Sequence, residues 1–219
     1  MILSANDAVN CDGMKGLTWR WRFLERKMQV WPSRSTVSLP LTPAVPRALP
    51  RPALRWVGPG NKIALRPIDW NCDADTICLW QRETYALNFP GFQFTETFSN
   101  AFRHDLRRAS LDDQHGLFIL DERASGGGSC GFVWLVICHN SWTNERYGYI
   151  NNLYIVPEKR GSELGSALLD YADEWFRRRR IAKLRLTVTS SNQSACRLYE
   201  KNGYEITRWE MEKESGHGL

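Results

Sequence analysis

One segment of the 219-residue chain combines the groups that bind phosphate. It runs from the apolar pair Ile155-Val156 through Arg160-Gly161 into the start of an amphipathic helix that contains Ser162 and Ser166. The first backbone N–H groups of a helix lack partners within it, and glycine lets the backbone approach a ligand closely. With an arginine beside them, such groups form a diphosphate site. Both serines can add hydroxyl donors, although each is also ordinary in a first helical turn.

A second polar segment follows further along, from Asn192 to Tyr204. It predicts a short helix that ends at Gly203 and carries Tyr199 and Cys196. Cys196 could be a nucleophile, but a free cysteine on a helix is more often a small core residue. For Asn192 a helix N-cap is the plain interpretation.

The apolar spacing elsewhere predicts the elements that position these segments. Strands are expected at 62–66, 116–121, 131–138, 147–156, 183–188 and 204–211, and helices at 73–87, 98–109, 161 to about 180, and 192–202. Ser125–Gly128 leads into a strand and reads as a hairpin turn, not a phosphate loop. This order predicts an α/β fold, with a mixed sheet flanked by helices on both faces.

The basic charge is concentrated in the first sixty residues. Residues 1–60 hold nine Lys or Arg against three acids, whereas residues 61–219 hold 20 against 21. Because seven of the ten prolines also lie there, we expect a disordered or extended leader (1–60) before one domain (61–219). The Trp19-Arg20-Trp21-Arg22 stretch could bind a membrane surface, a nucleic acid or an import receptor, but a disordered leader is favoured.

The remaining composition excludes several classes of protein. No run of about 18 apolar residues predicts a membrane span, and the Arg177–Arg180 run reads as a solvated helix end, so neither membrane nor nucleic acid is expected as a partner. The six cysteines form no C-x-x-C pair, and the four histidines show no ligand spacing. We therefore expect no metal and a reducing, cytoplasmic location.

The two segments and the order of elements resemble the GNAT superfamily of acetyl-CoA-dependent N-acetyltransferases, from Asn61 to about Glu212. The stretch from Leu153 to Gly165 is similar to the coenzyme-binding signature R/Q-x-x-G-x-G/A behind a strand, and Asn192 to Tyr204 is similar to the closing motif. Glu163 departs from the signature by replacing its middle glycine. An acid in the first turn of a helix is nevertheless favourable.

The resemblance implies a role for each matching residue. Acetyl-CoA is the expected co-substrate, held by backbone groups of Leu153 and Ile155, by Asn192, and by the turn residues Arg160, Gly161, Ser162, Glu163, Gly165 and Ser166. The Leu153 N–H would stabilise charge on the thioester oxygen. Tyr199 would donate a proton to the leaving thiolate, with core packing as its alternative role.

The resemblance leaves the base and the acceptor open. The strand before the signature carries no carboxylate, so the base is either a water chain anchored by Asn151 or Asn152, or an acid such as Glu83 or Glu96. The aromatic segment from Trp80 to Phe98 either binds the acceptor or packs on the core. We expect transfer by direct attack of a primary amine, carried by a small molecule, an amino acid or a peptide N-terminus. A coenzyme-A-binding regulatory module is the alternative, and a homodimer stays open.

Overall fold

The computed structural model describes residues 63–89, 91–122, 128–140, 142–211 and 213. The predicted leader 1–60, Pro90 of the expected turn and residues 125–127 of the expected hairpin turn lie outside these residues.

A five-stranded sheet forms the centre of the domain, with the strands in chain order. Neighbouring strands are antiparallel except β4 and β5, which are parallel, so the expected mixed sheet is confirmed. The strands are β1 (Ile63–Pro67), β2 (His115–Glu122), β3 (Ser129–Asn140), β4 (Glu145–Ile155) and β5 (Leu184–Arg185).

Helices cover both faces of this sheet, as predicted. They are α1 (Trp70–Asn88), α2 (Glu96–Ser110), α3 (Leu164–Arg177) and α4 (Gln193–Lys201). Helices α1 and α2 pack on one face around Phe98, Phe102 and Trp134, while α3 packs on the other through Leu168 and Phe176. Each face therefore has its own buried apolar layer, and the sheet lies between them.

Side-chain caps fix where three helices begin. Asp69 accepts a hydrogen bond from the Asn71 N–H and starts α1, Thr95 accepts from the Phe98 N–H and starts α2, and Asn192 caps α4. The Asp69 cap explains why α1 begins at Trp70, before the predicted Asp73.

Three predicted elements in the C-terminal part of the domain differ from the structure. Helix α3 begins at Leu164 instead of Gly161, because a 3₁₀ turn (Pro157–Lys159) and a left-handed Gly161 (φ 73°) precede it, and it ends at Arg177. The strand expected at 183–188 is reduced to β5. No strand forms over 204–211, since β5 offers only two residues at that edge for a further strand to pair with.

Candidate functional site

Strands β4 and β5 diverge immediately after they meet. They pair only at Gly148 with Leu184 and at Tyr149 with Arg185. Strand β4 continues to Ile155 with β3 as its partner on the other side. In the described part of the chain, residues 150–155 therefore have no strand on their β5 side. We call this opening the β4–β5 gap.

A β-bulge at Asn151 changes which β4 side chains face α1 and α2. The register with β3 places Ile150 opposite Leu135 but Asn152 opposite Trp134, so Asn151 is the extra residue. Before the bulge Tyr147 and Tyr149 pack toward α1 and α2, and after it Tyr154 does. The bulge thus brings Tyr154 to the face that packs against α1. Without it, strict alternation from Tyr149 would place Tyr154 on the opposite face of the sheet.

Leu153 and Ile155 direct their backbone polar groups into the gap. The Val156 N–H donates to Cys130 O over 3.0 Å, and in an antiparallel ladder such bonds involve every second residue. Tyr154 and Asn152 accordingly bond to β3, while the groups of Leu153 and Ile155 point away from it. The Ile155 carbonyl accepts a hydrogen bond from Arg160 Nε over 2.8 Å.

The Arg160-Gly161 turn leaves several backbone donors free. The Arg160 N–H donates to Pro157 O, and the first α3 bond back to the turn is Ala167 N–H to Glu163 O. The Ser162 hydroxyl donates to Lys159 O, and the Ser166 hydroxyl accepts from Asn202 Nδ2. In residues 63–213 as described, no acceptor bonds the N–H groups of Gly161, Ser162, Glu163, Gly165 and Ser166.

Glu163 and Gly165 occupy positions with local structural reasons. Glu163 is the N-cap residue of α3, one position before the first helical turn in which it was expected. Its side chain is exposed and accepts no hydrogen bond from the N–H groups of the helix start. A Cβ at Gly165 would lie 2.9 Å from Leu198 Cδ2. The glycine therefore allows α3 and α4 to approach closely beside the turn.

Helix α4 places its two predicted site residues at the gap in different ways. Asn192 acts as the N-cap by accepting from the Ala195 N–H, and its Nδ2 donates to Asn88 Oδ1 at the end of α1. Tyr199 is half-buried, and its hydroxyl has no hydrogen-bond partner among the described residues. Burial, with smaller effects from Cys196 and Tyr149, raises the pKa of Tyr199 to about 12.

The C-terminal half of α1 forms the opposite wall of the gap. Asn152 Nδ2 donates to Gln81 Oε1 over 2.7 Å, and Asn151 Nδ2 donates to Asn152 Oδ1 over 2.7 Å. The Tyr154 hydroxyl donates to the Glu83 carboxylate. Burial and this carboxylate raise the pKa of Tyr154 to about 12. Of the two acids considered as bases, Glu83 thus contacts β4.

Glu96 and most of the aromatic segment lie elsewhere. Glu96 is in the first turn of α2, and no hydrogen bond or ion pair joins it to β4 in the described part of the chain. Phe98 is fully buried, and Phe92 and Phe94 pack around Tyr85 beside it. Trp80 is buried too, but it stacks on Tyr154 with ring centroids 5.2 Å apart. Core packing therefore accounts for most of these rings.

Sequence reasoning missed three polar residues of this site: Gln81, Tyr149 and Tyr154. Gln81 is 4% exposed in the middle of an apolar helix face, and a buried glutamine among apolar residues was a usable signal. Tyr149 donates to Thr187 Oγ1 where β5 leaves β4. The position of Tyr154 depends on the bulge at Asn151, and the residue pattern does not reveal that bulge.

Comparisons with known proteins cover most of the described region. Residues 77–204 match the family model described as Acetyltransferase (GNAT) family. The chain is 30% identical over 98 residues to a Bacillus subtilis protein named uncharacterized N-acetyltransferase YhfO, covering 45% of this chain and 64% of that one. It is 36% identical over 114 residues to the mycothiol acetyltransferase of Thermobispora bispora, covering 49% and 36%. The chain thus spans less than two thirds of either relative.

Solved structures show the same fold. A predicted acetyltransferase from Clostridium acetobutylicum, crystallised with acetyl-CoA, superposes with a TM-score of 0.57 at 18% identity, covering 69% of this chain and 96% of that one. A putative acetyltransferase from Pyrococcus furiosus superposes with a TM-score of 0.54 at 26% identity, covering 69% and 99%. Among the described residues, every helix is too short or too polar to cross a bilayer.

Proposed function

The chain belongs to the acetyltransferase (GNAT) family, and from this premise we propose that it transfers an acetyl group from acetyl-CoA to a primary amine by direct attack. We assign the reaction to residues 61–219 as one domain. The observation that carries the proposal is the open side of β4, where the backbone groups of Leu153 and Ile155 pair with no strand and lie next to the Arg160-Gly161 turn.

The residues of the gap and the turn fit two parts of acetyl-CoA, its diphosphate and its pantetheine arm. Free N–H groups at 161–163, 165 and 166 suit the diphosphate, since they converge on a helix start next to an arginine. The groups of Leu153 and Ile155 suit the amides of the pantetheine arm, which would pair with β4 as a strand does. Acetyl-CoA would supply an acyl group activated as a thioester.

Two residues would take part in the chemistry, and two would help to hold the coenzyme. The Leu153 N–H would donate to the thioester oxygen as negative charge develops there. The Tyr199 hydroxyl, which stays protonated at neutral pH because burial raises its pKa to about 12, would protonate the departing thiolate. Arg160 would exchange its hydrogen bond with Ile155 O for the diphosphate, and Asn192 would hold α4 against α1 beside the coenzyme.

A coenzyme-A-binding regulatory module is a second candidate. Two observations favour it. Glu163 places a carboxylate at the proposed diphosphate turn without capping the helix, and β4 carries no carboxylate beyond Glu145. We favour the enzyme because Glu83 of α1 reaches β4 through Tyr154 and supplies the carboxylate from outside the strand.

Calorimetry with acetyl-CoA and mass spectrometry of acetylated amines test the proposal together. Arg160→Ala should weaken acetyl-CoA binding about 10- to 100-fold, because a charge-assisted hydrogen-bond donor is lost. Lys159→Ala is the matched control: it removes the preceding cation, which is paired with Glu122, and should leave binding nearly unchanged. Binding without acetylated product from any amine would favour the regulatory module. Equal binding in both variants would remove Arg160 from the site.

A further inference from the structure

We infer that the acceptor is a monoamine carried on an apolar group, and that its ammonium binds between the Glu83 carboxylate and the Asn151 side-chain oxygen. This inference rests on the proposed acetyl transfer and names the chemistry of its second substrate. Three observations carry it: an acid without a cation, an amide oxygen without a donor, and two exposed leucines beside them.

Glu83 is a carboxylate at the gap without a cationic partner. Six other carboxylates of the described residues are paired with Arg or Lys, namely Asp73, Asp75, Asp121, Glu122, Glu145 and Glu174. Glu83 instead accepts a hydrogen bond from the neutral Tyr154 hydroxyl, and no ion pair reaches it within the described residues. Arg160 lies over the Tyr154 ring, 5.4 Å from its centroid. Glu83 is therefore held in place yet still able to accept from a ligand cation.

The Asn151 oxygen is the second acceptor at this wall. The amide nitrogens of Asn151 and Asn152 both donate along a chain that ends on Gln81 Oε1. This chain orients Asn151 and leaves its Oδ1 without a donor among the described residues. Glu83 bonds Tyr154, and the Asn151 amide bonds Asn152, two residues earlier on β4. Two acceptors along this wall match an ammonium, which has three N–H donors, better than a hydroxyl, which has one.

The surface around Glu83 favours an apolar group next to the ammonium. Leu79 and Leu87 lie one helical turn before and after Glu83 and are 55% and 59% exposed. Residues four apart share a helix face, so the carboxylate stands between two apolar side chains. The next acid along this face, Asp75, is already paired with Arg103. Among the described residues of this helix face, a polyamine would thus find no unpaired carboxylate for its second charge.

This placement gives the missing base a position. The ammonium would lose one proton to Glu83, and its nitrogen would form the new bond to the acetyl carbon. The carbon–sulfur bond would break, and the thiolate would take a proton from Tyr199. The acylated nitrogen would lose its second proton, which restores the Tyr199 hydroxyl through solvent. The products are the neutral amide and free coenzyme A, and Glu83 releases one net proton to water.

The test compares 2-phenylethylamine, methylamine, spermidine and 2-phenylethanol in the full chain. Glu83→Gln keeps the size of the side chain but removes its charge, so KM for 2-phenylethylamine should rise about 10- to 100-fold. Calorimetric Kd for the same amine, measured with coenzyme A present, should rise in parallel. Glu96→Gln, an acid at the start of α2, should change neither value.

A second variant tests the apolar surface. Leu87→Ser should raise KM for 2-phenylethylamine but not for methylamine. Spermidine and 2-phenylethanol should bind the unaltered chain more weakly than 2-phenylethylamine. A Kd unchanged by Glu83→Gln, or a preference for spermidine, would overturn the inference while acetyl transfer still stands. If no amine is acetylated, the proposed function fails, and the calorimetric Kd values still decide whether this ammonium site exists.

Discussion

The two halves of β4 differ in what pairs with them, and the β4 residues to which we assign a role all lie in one half. Up to Tyr149, in what we call the paired half, the strand has β3 on one side, and at Gly148 and Tyr149 it also has β5 on the other. Beyond the bulge at Asn151, in what we call the open half, the strand pairs with β3 alone, and the backbone groups of Leu153 and Ile155 face the gap. A strand paired on one side is normally a liability, because its free groups attract other chains. Here the helix starts of α3 and α4 and the end of α1 surround those groups and limit what can reach them.

The side chains show the same division. The paired half packs apolar or ring surfaces against its neighbours, as Gly148 does against Phe176 and Tyr147 beneath Arg185. The open half carries the polar contacts to α1, from Asn152 to Gln81 and from Tyr154 to Glu83. One strand thus joins a structural half to the half that we propose binds the coenzyme, with the bulge as their boundary.

Leu153→Pro should separate the two halves most strongly. Proline removes the N–H that faces the gap, and this N–H makes no bond to β3. We expect kcat for acetyl transfer to fall about 100- to 1,000-fold, as for loss of an oxyanion donor. Steady-state kinetics measure kcat, and thermal unfolding measures the Tm of the same variant.

Tyr154→Pro is the control for this variant. The Tyr154 N–H bonds to β3, so its loss should lower Tm clearly more than Leu153→Pro does. If both variants lower Tm equally, or if Leu153→Pro keeps its rate, the open half has no special backbone role.

Tyr199→Phe should reduce kcat about 100-fold with little change in KM, because the hydroxyl would act only on the leaving thiolate. The pKa of Tyr199, raised to about 12 by burial, should keep the wild-type rate free of a tyrosine ionisation between pH 7 and 10. Tyr149→Phe is the matched control, since that nearby hydroxyl is already bonded to Thr187. Equal losses in the two variants would make Tyr199 a packing residue.

The sequence predicted the elements of both halves but not their relation. Apolar spacing located the four helices and five of the six predicted strands, but the strand expected at 204–211 does not form. The arginine and glycine at 160–161 located the turn. The bulge at Asn151 left no residue signature, because a bulge without a left-handed residue requires no particular residue type. The short β5 was also unforeseen: Leu184, Leu186 and Val188 alternate as a strand should, yet only Leu184 and Arg185 pair. Pairing depends on a neighbour, which local patterns do not contain.

Two glycines offer a smaller test, in stability. A Cβ at Gly131, opposite Ile155 in the open half, would lie 2.4 Å from the Tyr154 carbonyl oxygen, a backbone atom. A Cβ at Gly148 in the paired half would lie 2.6 Å from the Phe176 ring, a side chain that can shift. Gly131→Ala should therefore lower the free energy of unfolding by about 1–3 kcal/mol, and Gly148→Ala by less. Urea unfolding measures both.

The KM values of Gly131→Ala and Gly148→Ala for acetyl-CoA test the same contrast between the two halves of β4. Gly131→Ala moves the backbone that faces the gap, so KM for acetyl-CoA should also rise, whereas Gly148→Ala should leave KM unchanged. A larger KM effect from Gly148→Ala would contradict the assignment of binding to the open half.

The smallest effect is expected from His115, at the end of the β2–β3 pairing. Trp134 Nε1 donates to His115 Nδ1 over 2.9 Å, so the ring must be neutral to accept. Burial, aided by Arg108 and opposed by Asp112, holds the pKa of His115 below its ordinary value. The unfolded chain therefore binds a proton more readily, and the free energy of unfolding should fall as pH drops below about 6.5. His115→Gln keeps an acceptor for Trp134 without titrating, so urea unfolding at pH 7.5 and 5.5 should show a smaller acid loss than in the wild type. Because β3 lies between this histidine and β4, KM for acetyl-CoA should be the same in both proteins. A changed KM would mean that coenzyme binding depends on the β2–β3 pairing as well.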